Sequence, residues 1–157
     1  MDDLTLARAV HVLAVIHWIG GVAFVTAVIL PVLAVFDEPS RSLALFEVIE
    51  HRFSAQVKVS VPLAGFSGAY MAWRVDSWSQ FLEPARWWLA AMALVWALFM
   101  ALLFVVEPLV LRGPFRRRVA ADPAGTFRII QRAHIALLAM GMGVAAAGVL
   151  GAHGLLG

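Results

Sequence analysis

Four apolar stretches, close to Leu6–Phe36, Val57–Trp73, Trp87–Leu111 and Ile129–Leu156, constrain this chain more than any other feature. Each is long enough for one crossing, because about 20 apolar residues rising ~1.5 Å each span the hydrocarbon of a bilayer. Composition agrees: 62% of residues are hydrophobic and 14% charged, against roughly 45–50% and 25% in soluble domains. The expected fold is all-α, an integral membrane up-down four-helix bundle. It forms a single transmembrane domain, residues 1–157, with helices near 6–36, 41–74, 85–112 and 126–156. The first run is too long, and its start too acidic, for a cleaved signal peptide, so it is expected to be retained.

Charge sets the orientation. The basic residues concentrate between Leu111 and Arg132, in an expected interhelical loop. That is a positive-inside signature rather than a nucleic-acid patch, and it places both termini on the outer, periplasmic side of a bacterial inner membrane. Trp73, Trp78, Trp87 and Trp88 gather around the loop Asp76–Pro84 as an aromatic belt on that outer side. With no cysteine in the chain, disulfides, thiolate metal sites and iron–sulfur clusters are excluded.

Local signals divide the chain further. Pro31 is expected to kink or end the first helix. Ser40 and Thr126 are the expected caps of the second and fourth helices. Lys58 and Glu107 fall at one depth if the second and third helices are antiparallel neighbours, so an ion pair between them is expected, with separate snorkelling to headgroups as the alternative. Gly143, Ala147 and Gly151 form a small-xxx-small stripe suited to close helix packing.

The histidines carry the candidate chemistry. His11 lies inside an apolar run, and Trp18, seven residues on, shares its helix face, whereas His17 points elsewhere with Gly20, Gly21 and Phe24. His11 and His153 both belong to the outer ends of helices expected to be neighbours, and His51 and His134 to the inner side. Two imidazoles on different helices at one depth suit bis-histidine haem b ligation, so His11 and His153 are the first candidate pair and His51 and His134 a second. His134 and His153 are 19 residues apart, about 28 Å of helix, and cannot share one iron. A hydrogen bond to another helix is the alternative role of His11. Copper is the competing metal, through imidazole and the thioethers of Met92, Met100, Met140 and Met142; Met140 and Met142, two apart, cannot share a face, and core filling accounts for methionines as well.

The segment HVLAVIHWIGG, His11 to Gly21, resembles the first helix of the copper-resistance D (CopD-like) membrane family, as does Arg52–Phe53–Ser54 leading into SVPLAGFSG. The histidine-to-tryptophan spacing and the proline closing that helix also resemble the HemJ-type protoporphyrinogen oxidases. The resemblance covers mainly the first two helices. It implies a four-helix membrane unit with His11 at the family's first-helix histidine, associated with haem in one branch and with copper handling in the other. The expected functions are electron transfer or redox chemistry with a lipid-soluble quinone or porphyrin, copper transport, or a structural subunit whose Arg41–Arg52 helix and basic loop contact a larger complex or a second copy.

Overall fold

The computed structural model describes residues 2–111 and 114–156, the side chains of 110–116 excepted. The described chain is all-helical. Helix α1 (Asp3–Phe24) passes through a π-helical turn at Val25–Ile29 into α2 (Leu30–Ala34). Helix α3 (Pro39–Arg74) follows, then two 3-10 turns at Trp78–Leu82 and Pro84–Arg86. Helix α4 (Trp87–Ala101) passes through a second π turn at Leu102–Val106 into α5 (Glu107–Leu111). Short α6 (Pro114–Ala121) precedes the long α7 (Pro123–Ala152).

Three of these stretches, Asp3–Ala34, Pro84–Leu109 and Pro123–Ala152, are long and apolar enough to cross a membrane. α3 is as long but is not among them. Its first half carries Arg41, Glu47, Glu50, His51 and Arg52. It starts at Pro39, not at a serine cap: Ser40 Oγ donates to the Glu38 carboxylate, 3.0 Å away. The cap of α7 is likewise not Thr126 but Asp122, whose carboxylate accepts from the Gly125 amide at 2.8 Å. A short carboxylate immediately before the first turn reaches that orphan N–H more directly than a hydroxyl already inside the helix. The expected basic loop is mostly helix, α6 and the first turns of α7; Arg112 and Gly113 lie outside the described residues.

Both π turns have one local cause. Leu30 N–H bonds Val25 O and Glu107 N–H bonds Leu102 O, five residues back rather than four. In each case the next residue is proline, Pro31 or Pro108. Proline removes a donor and crowds the carbonyl four residues earlier, and a widened turn relieves the crowding. Pro62 sits within α3 without breaking it.

α1 and its continuation α2 run antiparallel to α3 in close contact, from Asp3 beside Arg74 at one end to Leu33 beside Ser42 at the other. Two apolar cores stack along them. The first joins Ala14, Trp18, Ile19, Val22, Val57, Val61, Ala64 and Phe99; the second joins Val25, Leu30, Leu33, Leu43, Phe46, Phe127 and Ile130. Glycine permits the closest crossings: a Cβ on Gly65 would collide with the Trp96 indole, which donates to Val61 O at 2.9 Å. On α7, Gly141, Gly148 and Gly151 meet Ile19, Met92 and Trp88, while Gly143 faces open space. The packing face of α7 is therefore not the expected Gly143–Ala147–Gly151 stripe but a neighbouring one that includes Ala147 and Gly151.

Candidate functional site

The π turn before Glu107 gives the clearest polar feature. An extra residue in a turn rotates everything after it by about 100°, and this rotation brings Glu107 to face α3. Its carboxylate accepts from Lys58 Nζ at 2.7 Å and from Ser54 Oγ. The expected Lys58–Glu107 ion pair is formed. Glu107 is the more buried partner, with 13% of its side chain exposed against 34% for Lys58.

Glu50, Ser54 and Lys58 follow at intervals of four and share one face of α3. Glu50 lies outside the three apolar stretches. Burial, and then the nearby Glu107 carboxylate, push its carboxyl up to about 7. Because the folded-state value is raised, the protonated form is favoured on folding: stability is greatest below the ordinary glutamate range and falls as pH rises through about 7. Glu50→Gln is expected to flatten that fall, measured as the unfolding midpoint in detergent between pH 5 and 8.

His11 is half-buried between α1 and α3. Its Nδ1 lies 2.8 Å from Ala64 O and 3.2 Å from Ser67 Oγ. A carbonyl has no hydrogen to give, so Nδ1 carries the proton and donates, leaving the Nε2 lone pair bare in the neutral ring. Gly68 provides the room, since a Cβ there would stand 3.2 Å from His11 Cε1. Trp18, on the same face, is 5% exposed and meets the Phe99 ring edge-on, centroids 4.7 Å apart; its indole nitrogen has no hydrogen-bond partner among the described residues.

The remaining histidines are dispersed. His134 is half-buried, with Nδ1 2.9 Å from Ile130 O and its ring edge-on to Phe46. His153 is exposed at the end of α7, with Nδ1 2.8 Å from Val149 O. His51 and His17 are both exposed. The hydrogen-bond partners of the His11 ring come from α3, not from α7. Among the described residues no three histidine or carboxylate side chains converge as metal ligands. The methionines do not converge either: Met92 packs on Gly148, Met100 on the first core, and Met140 and Met142 are exposed.

Sequence reasoning missed Ser54, Ala64 and Ser67 as partners. Ser54 and Ser67 lie on the faces of α3 that carry Lys58 and Ala64, so helical spacing was the available signal. It also missed the clamp at the start of α1, in which Asp3 accepts from Tyr70 at 2.8 Å and from Arg74 Nε and Nη2 at 3.0 Å.

No protein-family model, no curated protein and no solved structure matches this chain. What its fold and composition define is the class: an all-helical protein with three helices fit to cross a bilayer.

Proposed function

We propose that this chain is a multi-pass protein of the bacterial inner membrane, a four-span up-down bundle with both termini outside, that binds haem b through His11. Its role is electron transfer with a lipid-soluble partner. The observation that carries the reading is the contact of His11 Nδ1 with a backbone carbonyl of the neighbouring helix. Metal-bound histidines characteristically donate their second N–H to a carbonyl, which orients the ring and raises its basicity. Ala64 O and Ser67 Oγ supply that contact at 2.8 and 3.2 Å. His11 would hold the iron on this evidence, and His153, with Nδ1 on a backbone carbonyl at the same end of the bundle, is the candidate for a second ligand. Haem bound there would supply a reversible one-electron couple tuned by its apolar shell. Trp73, Trp78 and Trp87 mark the outer boundary of the bilayer, and Lys58 with Glu107 the inner one.

A second reading, a structural or assembly subunit, is favoured by the lobe that α2 and the first half of α3 form. There Val35 and Val48 are exposed near Arg41 and Arg52. A reduced-minus-oxidised visible spectrum of the detergent-purified protein, with haem and copper quantified on the same sample, separates the readings. Sharp b-type bands with haem near one or two per chain are the expected result. A colourless protein carrying copper would replace the haem reading with transport, and one carrying neither would leave the assembly reading.

A further inference from the structure

In lipid, an exposed leucine says nothing about partners, because hydrocarbon is as apolar as the side chain. An exposed polar side chain says a great deal. The groove between α1 and α3 on the surface away from α4 and α7 is lined by Leu13, Ala14 and His17 from one helix and by Gln56, Val59 and Leu63 from the other. His17 and Gln56 are both exposed. His17 makes no hydrogen bond among the described residues, and Gln56 makes one long contact, 3.4 Å to Arg52 O. One turn beyond His17, a Cβ on Gly20 would meet nothing within 4 Å, so the backbone there is bare to a neighbour.

We propose that this groove is where two copies of the chain dock, with His17 of each copy paired to Gln56 of the partner subunit. A two-fold contact is isologous, so whatever residue i offers to j is offered back by j to i. A neutral imidazole carries one donor and one acceptor, and a glutamine amide carries both kinds as well. Each copy therefore brings the complement of what the other lacks, and the pair forms twice. A quinone offers only acceptors and would leave the imidazole lone pair and the amide carbonyl unmatched. Neither side chain need be charged, so the pairing takes no ion into the bilayer. Gly20 lets the two α1 helices approach closely enough for these side chains to reach.

This inference rests on the membrane placement proposed above, and the test separates the two. The chain has no cysteine, so a single substituted one reports its own neighbourhood. Leu13→Cys, Val59→Cys and Leu63→Cys probe the groove, and Leu94→Cys, exposed on α4, serves as control. Oxidised in native membranes, at least one groove variant is expected to give dimer well above the control. Adding His17→Leu with Gln56→Leu is expected to lower the crosslinked fraction about tenfold, since interhelical hydrogen bonds in membranes are modest and two are lost. Groove variants that crosslink no better than Leu94→Cys, or crosslinking untouched by the double replacement, would overturn the docking. If the chain still sediments with membranes, the bilayer placement survives that result; if it does not, both are lost.

Discussion

Glu107→Ala is expected to be among the most destabilising single substitutions in this chain. It removes the acceptor of both Lys58 Nζ, 2.7 Å away, and Ser54 Oγ. Breaking one side of a buried ion pair costs about 3–5 kcal/mol, because the surviving charge stays desolvated. Lys58 keeps 34% of its side chain exposed, and its stem is long enough to carry the ammonium toward headgroups, which places the expected cost nearer ~2–3 kcal/mol. The informative comparison is Lys58→Met with Glu107→Leu. Replacing both partners with apolar groups of similar size is often neutral, so the double variant is expected to regain most of the loss. Unfolding midpoints in detergent, followed by far-ultraviolet circular dichroism, measure both. A double variant destabilised by the sum of what Lys58→Met and Glu107→Leu cost alone would show that the two residues are not energetically coupled.

That pair also shows how far the sequence could be read. Depth alone sufficed to match Lys58 with Glu107, because rise per residue converts position into height. Rotation was not available in the same way. Glu107 faces α3 only after the π turn at Leu102–Val106, and the turn depends on how the helix relieves Pro108, a choice between kinking and widening that periodicity does not encode. The same limit explains the histidines. That His11 sits apart from His17 followed from helical spacing, and the structure keeps the distinction, with one half-buried and the other exposed. Which helix His11 meets did not follow. The small residues Ala64, Ser67 and Gly68 draw the imidazole to α3, whereas matching depths had suggested α7. Hydropathy found four stretches, yet only three described helices are long and apolar enough to cross a membrane, since the apolar half of α3 is short and carries Lys58, Ser60, Pro62 and Ser67.

His11→Ala is expected to reduce bound haem by more than tenfold while the chain still folds and inserts. The structural cost of the substitution is small, because one interhelical hydrogen bond is worth about 1 kcal/mol and the Ala64 carbonyl keeps its place in the helix. The cost to the proposed ligation would be large, since the imidazole has no replacement among the groups around it, Ala64 O, Ser67 Oγ and Gly68. His17→Ala, on the exposed face, is expected to leave haem content unchanged. Ser67→Ala provides the finer measurement. With the ligand intact and one of its two Nδ1 contacts gone, haem should still bind, more weakly by about tenfold and at a shifted midpoint potential, as for other groups that orient a metal-bound histidine. A role for Ser67 in packing alone would move stability and leave the potential where it was. Stoichiometric haem in His11→Ala would transfer the ligand role to His134 or His153. Haem lost equally from His11→Ala and His17→Ala, with the fold intact in both, would place the cofactor on the groove side of α1 and remove the case built on the Nδ1 contact.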